Sequence, residues 1–326
     1  MTTGLEKLKE FTTVVADTGD FESIAEFSPQ DCTTNPTLIL RAFKLTKYSQ
    51  LVKDCVNKVK EGYKGDKESL VTECLDNIFV TFGKAILELL PKNGRVSTEL
   101  DPRLSFDTEG SILRARKLIA LYEKAGVPRD RVLIKIASTW EGIQAAKILE
   151  TEGIHCNLTL LFSFGQAVAC ADAKVTLISP FVGRIRDWHL KFNNPDKIED
   201  FEPSQDPGVI SVASIYNYYK KFGIKTEIMG ASFRNIGEIT ELVGCDLLTI
   251  APRLLKELKQ MKPELIVKKL DQEKAKEMDI EECEFDEKKF RWELCCNQMA
   301  SEKLFEGIRH FKIDYLVLQG LIAELL

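Results

Sequence analysis

A lysine lies in the middle of an apolar segment, Val-Leu-Ile-Lys-Ile-Ala, at residues 132–137. Side chains alternate along a strand, so Lys135 shares one face with Leu133 and Ala137, opposite the two isoleucines. If the isoleucines pack under outer helices, the lysine points into the protein interior, where lost hydration disfavours an ammonium ion. A neutral amine there can attack a ketone carbonyl and form a Schiff base. The alternative is a purely structural ion pair between Lys135 and a buried carboxylate.

Two carboxylates, Asp17 and Glu99, end two other apolar segments. Schiff-base chemistry needs proton transfers, both to dehydrate the carbinolamine and to remove a hydroxyl proton when a carbon–carbon bond breaks. Two carboxylates can perform both, one of them through a water molecule. Asn157 and Thr159 share one face of a predicted strand, where they can bind that water or substrate hydroxyls. The alternative is that the carboxylates only pair with Lys135 or cap loops.

Two arginines, Arg184 and Arg234, follow two late apolar segments, and guanidinium groups match the geometry of phosphate oxygens. Ser179 and Ser232 add hydroxyl donors next to them. The alternative is that these arginines form exposed ion pairs, which contribute little. No glycine-rich phosphate loop follows a strand, so nucleotide binding has no support.

Eight short, β-branched segments are predicted to be the strands that position these side chains. Several are apolar on both faces, as in parallel strands covered on both sides, and segments of helical period, such as 111–125 and 139–152, lie between them. Alternating strands and helices predict an α/β fold, and eight units in a chain of this size favour a single (β/α)₈ barrel. The predicted strands are Thr12–Ala16, Asp31–Thr34, Arg95–Glu99, Val132–Ala137, Cys156–Leu161, Val175–Ser179, Thr226–Gly230 and Leu247–Ile250. Seven of them end in polar residues, which places these residues at the rim where barrel enzymes build their active sites.

Extra helices are expected outside the eight units. Helical patterns cover 36–59 and 67–90, and a C-terminal helical extension covers 285–311 and 312–326. The polar, proline-containing stretch 188–209 is expected to run over the surface. No linker divides the chain, which predicts one domain over residues 1–326.

Composition excludes several classes of protein. The 326 residues are 44% hydrophobic and 29% charged, and the net charge of −5 comes from interspersed signs, so no nucleic-acid partner is expected. No membrane span is expected, because no run of about 18 apolar residues occurs. The first residues lack a signal-peptide core, and the nine cysteines are scattered with one adjacent pair, Cys295–Cys296. These features predict a cytoplasmic protein without a disulfide framework or a zinc site.

Over nearly its whole length the chain resembles the classical transaldolases. The resemblance is specific because many separate segments carry it together. They are VVADTGDF, DCTTNPTLI, STELDPRLSFDT, LIKIASTWEGI, CNLTLLFSF, LISPFVGRIRDW, MGASFRNIGEI and GCDLLTIAP.

The resemblance implies transfer of a dihydroxyacetone unit from sedoheptulose 7-phosphate to glyceraldehyde 3-phosphate, which gives erythrose 4-phosphate and fructose 6-phosphate. It implies that Lys135 forms the Schiff base and that Asp17 is the acid and base at the C4 hydroxyl. Glu99 and Thr159 would hold the water used to form and hydrolyse the Schiff base.

The resemblance also implies a set of binding residues. Asn35, Asn157 and Ser179 match substrate ligands, Phe181 lines the site, and Arg184, Ser232 and Arg234 match the phosphate site. No metal or organic cofactor is implied. In related enzymes the last helices often form oligomer contacts, so a homodimer is the assembly to test.

Departures from the family pattern are small. His189 stands where tyrosine is expected, and Gly165 stands where alanine is expected. Two rival functions share the main features. One is a lysine-dependent aldolase that releases free dihydroxyacetone, and the other is a non-catalytic barrel that binds sugar phosphates.

Overall fold

The computed structural model describes residues 2–193 and 200–326, and its centre is a closed barrel of eight parallel strands in sequence order. This confirms the predicted (β/α)₈ fold. Every predicted strand is present, with ends that differ by at most two residues. The strands are β1 (Thr13–Asp17), β2 (Asp31–Thr33), β3 (Val96–Glu99), β4 (Val132–Ala137), β5 (Cys156–Leu161), β6 (Leu177–Pro180), β7 (Glu227–Gly230) and β8 (Leu247–Ile250).

Helices connect the strands, surround the barrel and extend beyond it. They are α1 (Gly4–Lys9), α2 (Phe21–Phe27), α3 (Pro36–Phe43), α4 (Ser49–Lys60), α5 (Lys67–Leu89), α6 (Thr108–Lys124), α7 (Trp140–Thr151), α8 (Phe164–Asp172), α9 (Val182–Asn193), α10 (Pro207–Lys221), α11 (Ile236–Glu241), α12 (Pro252–Gln260), α13 (Gln272–Glu277), α14 (Glu287–Cys296) and α15 (Gln298–Leu325). Among these described helices, none combines the length and the apolar character that crossing a bilayer requires.

Strand alternation separates two apolar layers, as predicted for β4. Ile134 and Ile136 pack outwards against the surrounding helices, including Leu118 of α6 and Ile143 of α7. Leu133 instead belongs to a small buried cluster that fills the barrel interior, formed by Val15, Leu133, Leu177, Met229 and Leu247. Lys135 is on the same side of β4 as Leu133 and therefore points into the barrel.

Two helices begin directly behind the polar rim, and an asparagine caps each of them. Asn35 precedes Pro36 and accepts a hydrogen bond from Leu38 N at 2.9 Å. Asn235 accepts one from Glu238 N at 3.0 Å. Each cap satisfies a free helical N–H and fixes the turn between a strand end and a helix.

The C-terminal extension is one long helix preceded by a short one. The break falls at Asn297, whose side chain accepts from Ala300 N, so the predicted boundary between residues 311 and 312 is wrong. The apolar face of α15 is continuous across that boundary. Phe311 packs in a cluster with Phe181 of the barrel rim, and Tyr315 packs in a second cluster with α3, α4 and α5.

Two other predicted segments differ from the structure. Residues 36–59 are not one helix but α3 and α4, separated by the 3₁₀ turn Thr46–Tyr48. Tyr48 is buried there, accepts a hydrogen bond from Phe21 N and donates one to Asp20, a tertiary contact that the local pattern cannot reveal. The stretch 188–209 is helical at both ends, within α9 and α10, and its residues 194–199 lie outside the described residues.

Candidate active site

Glu99, Lys135 and Asn157 are cross-strand neighbours on β3, β4 and β5. Lys135 is 4% exposed, its Nζ lies 3.1 Å from Glu99 Oε2, and it donates a hydrogen bond to Thr34 O at 3.2 Å. The lysine is therefore both buried, as predicted, and paired with a carboxylate, as the structural alternative required. A buried amine and a proton acceptor are in direct contact.

Glu99 and Thr159 each have a buried oxygen that can accept a further hydrogen bond, and the Thr159 hydroxyl can also donate one. Within residues 2–193 and 200–326, neither Glu99 Oε2 nor Thr159 Oγ1 has a hydrogen-bond partner, although Lys135 faces the carboxylate as an ion pair. Burial raises the pKa of Glu99, and the charge of Lys135 opposes this. Unpaired buried polar atoms are costly and often mark a functional position.

Asp17 ends β1 and is held by a hydroxyl from the next strand. Thr33 Oγ1 donates to Asp17 Oδ1 at 2.9 Å and lies 2.6 Å from Thr249 Oγ1. Burial raises the pKa of Asp17, while the positive charge of Lys135 opposes the shift. Asp17 is thus close enough to feel the lysine and stays protonated to a higher pH than an exposed aspartate. Sequence reasoning missed Thr33, although it stands beside the conspicuous Thr34-Asn35-Pro36 turn.

A chain of hydrogen bonds fixes the amide of Asn157. Ser179 Oγ donates to Asn157 Oδ1 at 2.6 Å, and Asn157 Nδ2 donates to Ser97 Oγ at 3.0 Å. All three side chains are buried. Ser97 was not among the predicted site residues, although it shares a strand face with Glu99 two residues later, and this shared face could have identified it.

Arg184 lies in the first turn of α9, and its guanidinium contacts two aromatic rings. Its guanidinium carbon is 4.8 Å from the centre of the Phe181 ring and 5.5 Å from that of Phe311. Burial lowers the pKa of Arg184, and the charge of Arg234 lowers it further. The two arginines predicted for one phosphate site are therefore close enough to repel each other.

Arg234, in contrast to Arg184, donates hydrogen bonds to a carboxylate. Its Nε and Nη2 donate to Asp187 Oδ2 at 3.0 and 2.8 Å, and its Nη1 donates to Ser232 O at 2.9 Å. Ser232 has a φ of +63°, in the left-handed region. Arg234 N donates to Glu238 Oε2 at 2.6 Å, and burial raises the pKa of Glu238 to about 7.

Sequence reasoning missed Asp187 and Glu238. Asp187 stands three residues after Arg184, one turn along the same helix face, and Glu238 stands three residues after the cap Asn235, a spacing typical of helix starts. These two carboxylates shape the segment that carries Ser232 and Arg234. The alternative of an exposed ion pair applies to Arg234, whose side chain is 37% exposed.

The described part of the chain brings the predicted residues to one end of the barrel. Glu99 and Lys135 line a small pocket together with Ile308 and Phe311 of α15. Within the described residues, no group of three histidine, cysteine, aspartate or glutamate side chains is arranged to hold a metal ion. The rim thus combines a buried amine, two carboxylates of raised pKa and two arginines.

Comparison with known proteins identifies the family. The family model described as transaldolase/fructose-6-phosphate aldolase matches residues 14–322. The chain is 57% identical over 323 residues to a probable transaldolase of Drosophila melanogaster, and the aligned residues cover 99% of this chain and 96% of the relative. It is 55% identical over 325 residues to the transaldolase of Homo sapiens, with 99% and 94% covered. It is 54% identical over 325 residues to that of Aliivibrio fischeri, with 99% of each chain covered.

These matches confirm the resemblance drawn from the sequence, and with it the expectation of a transferase of aldehyde or ketone groups. The matched region includes every strand except the first residue of β1, and all the side chains described above. The chain therefore belongs to the transaldolase/fructose-6-phosphate aldolase family.

Proposed function

We propose that the protein transfers a dihydroxyacetone unit from sedoheptulose 7-phosphate to glyceraldehyde 3-phosphate through a Schiff base on Lys135. The products are erythrose 4-phosphate and fructose 6-phosphate, as in the non-oxidative pentose phosphate pathway. The observation that carries this proposal is the contact of the buried Lys135 Nζ with Glu99 at 3.1 Å. The names of the relatives support the choice of transfer.

The ketose phosphate binds with its phosphate at Arg184, Arg234 and Ser232. Its hydroxyls bond to Asn35, Asn157 and Ser179, and Phe181 lines the carbon chain. The cap of α3 uses only the carbonyl oxygen of Asn35, which leaves the amide hydrogens as donors. The Ser179–Asn157–Ser97 chain supports this assignment because it fixes the orientation of the Asn157 amide.

Schiff-base formation begins with the transfer of a proton from the Lys135 ammonium to Glu99. The free amine adds to the C2 carbonyl, and the resulting carbinolamine loses its hydroxyl as water to leave the iminium ion. A water molecule bound by Glu99 Oε2 and Thr159 Oγ1 carries the protons, and the lack of a hydrogen-bond partner for either buried oxygen supports this role.

Cleavage then breaks the C3–C4 bond. Asp17 accepts the proton of the C4 hydroxyl, C4 becomes the aldehyde of erythrose 4-phosphate, and the electron pair forms an enamine with C2. The enamine carbon attacks the aldehyde of glyceraldehyde 3-phosphate, and Asp17 returns its proton to the new hydroxyl. Hydrolysis releases fructose 6-phosphate. The raised pKa of Asp17 supports this exchange, since a base works best when its pKa approaches the working pH.

Borohydride trapping tests the proposal. Incubation with fructose 6-phosphate and borohydride should reduce the iminium ion to a stable adduct that peptide mass mapping locates at Lys135. Lys135→Ala should abolish the adduct, while Lys147→Ala, a change at an exposed lysine on α7, should not. An adduct on a different lysine, or none, would refute the assignment and favour a barrel that only binds sugar phosphates.

The need for an acceptor aldehyde distinguishes the proposed transferase from the rival aldolase. A transferase holds its enamine until an aldehyde arrives, so consumption of fructose 6-phosphate should be negligible until erythrose 4-phosphate is added. Equal rates with and without the acceptor would identify an aldolase that releases free dihydroxyacetone.

We also place this activity in the cytoplasm, without a nucleic-acid or membrane partner and without a cofactor. The support is chemical: all nine cysteines are unpaired, which suits a reducing compartment. A homodimer and a single domain over residues 1–326 stay predictions. Light scattering and limited proteolysis test them directly.

A further inference from the structure

We propose that Phe311 of α15 is a positioning residue that sets the preference for phosphorylated substrates. It does so by holding the Arg184 guanidinium between its own ring and that of Phe181. This inference deepens the proposed function and rests on it, because it assigns the source of phosphate recognition at the same site.

The positive charges of the two arginines are stabilised in different ways. Arg234 gives three of its N–H groups to Asp187 and to Ser232 O. Arg184 has ring faces at 4.8 and 5.5 Å, and in the chain outside 194–199 no carboxylate lies within hydrogen-bonding distance of it. An aromatic face stabilises a cation without using its N–H donors. Arg184 therefore keeps its donors for a ligand, and its fork suits a phosphate.

The sequence of α15 allows Phe311 to lie close to Arg184. Gly307 lies one turn before it on the same face of α15, and a Cβ at Gly307 would come within 2.6 Å of Leu160 Cδ2 and 3.4 Å of Arg184 Nη1. The missing side chain lets the helix lie directly against the barrel rim. Leu160 itself has a φ of +53° where the register between β5 and β6 shifts.

Phe311 is 2% exposed and belongs to one cluster with Leu160 and Phe181. Its ring is thus fixed by packing, and the Phe181 ring contacts the same guanidinium. Phe311 and Ile308 also line the cavity that contains Lys135 and Glu99. The helix thereby connects the phosphate anchor with the reacting amine.

Loss of the Phe311 ring would free the guanidinium to turn. Glu99, Glu306 and Asp17 are the negative charges that act on Arg184. A guanidinium that turns towards them gives up the donors that a phosphate would use. The change should therefore weaken phosphate recognition while the Lys135 chemistry continues.

The experiment compares Phe311→Leu with two other variants. Phe311→Tyr keeps the ring, and Phe305→Leu makes the same change on the same helix at a partly exposed ring that packs near Phe106 instead. We expect Phe311→Leu to raise KM for fructose 6-phosphate about tenfold, or about 1.4 kcal/mol, within the range of a desolvated cation–π contact. kcat and borohydride trapping with dihydroxyacetone, which has no phosphate, should stay unchanged. Phe311→Tyr and Phe305→Leu should behave like the unmodified protein.

Direct calorimetric titration with inorganic phosphate provides a readout that needs no turnover. Phe311→Leu should weaken phosphate binding by the same factor of about ten. An unchanged phosphate affinity, or an equal rise in KM for fructose 6-phosphate and dihydroxyacetone, would overturn the inference. Failure of the unmodified protein to form any adduct would overturn the proposed function instead, and the phosphate titration would still decide the role of Phe311.

Discussion

Lys135 Nζ and Glu99 Oε2 lie 3.1 Å apart on neighbouring strands, and the two side chains are only 5% and 6% exposed. Burying two charges costs free energy that their attraction recovers only in good geometry, so such pairs are poor evidence of stabilisation. Burial also raises the pKa of Glu99, which makes it a better proton acceptor. The pair is better understood as an amine placed beside its base.

Glu99→Gln tests that interpretation. An amide cannot accept the proton of the Lys135 ammonium, so the rate of adduct formation with fructose 6-phosphate should fall about 10²–10⁴-fold. Single-turnover borohydride trapping measures this rate. Glu88→Gln, a change at an exposed glutamate on α5, is the matched control. A rate for Glu99→Gln within twofold of the unmodified protein would contradict the role of Glu99.

Thr159→Val separates function from packing. The buried hydroxyl has no hydrogen-bond partner among the described residues, so replacing it by a methyl should leave the free energy of unfolding unchanged or raise it by about 1 kcal/mol. Trapping should nevertheless slow about 10²-fold, because the proton-carrying water loses a ligand. Urea unfolding and trapping measure the two effects. Loss of stability with a normal trapping rate would point to a structural role only.

Arg234→Ala should weaken the binding of phosphorylated substrates by about 1.5–3 kcal/mol, the scale of a hydrogen bond to a charged group. The corresponding measurement is kcat/KM for fructose 6-phosphate against that for a ketose without phosphate. Arg129→Ala removes an exposed arginine in the connection that precedes β4, and this change should alter neither value. An equal loss with the non-phosphorylated ketose would count against a phosphate role for Arg234.

Glu238→Gln should change how stability depends on pH. Burial raises the pKa of Glu238 from about 4.5 to about 7, so between these values the folded protein holds a proton that the unfolded chain has released. Stability supplied by this group is therefore full below pH 4.5 and is lost as pH rises towards 7. Gln does not titrate and can still accept from Arg234 N.

Relative to that of the unmodified protein, the free energy of unfolding of Glu238→Gln should rise by about 1–3 kcal/mol between pH 4.5 and 8. Urea unfolding at several pH values measures this difference, and Glu264→Gln, at an exposed glutamate, is the control. A difference that stays constant with pH would show that Glu238 does not titrate in this window. Asp206, Arg186 and Arg234 are the charged groups that act on it.

The barrel could be predicted because each strand carries its own apolar pattern, and β4 even predicted the direction of Lys135. The candidate residues were visible because polar side chains at strand ends converge in this fold. The pairing of Arg234 with Asp187 could not be predicted, since it joins residues 47 positions apart on two different connections. The position of Phe311 could not be predicted either, because the sequence of a helix beyond the last strand does not show where the helix docks. The same holds for Tyr48, whose tertiary contacts interrupt an otherwise helical stretch.

The order in which the ribosome makes the chain separates folding from activity. β8 ends at Ile250, whereas α15 begins at Gln298, so all eight strands are synthesised before the helix that lies over Lys135 and flanks Arg184. Chains are synthesised from the N-terminus at about 5–20 residues per second. A growing chain thus has the residues to close its barrel some seconds before it has those that complete the proposed phosphate site, so the proposed transfer should begin only after α15 docks.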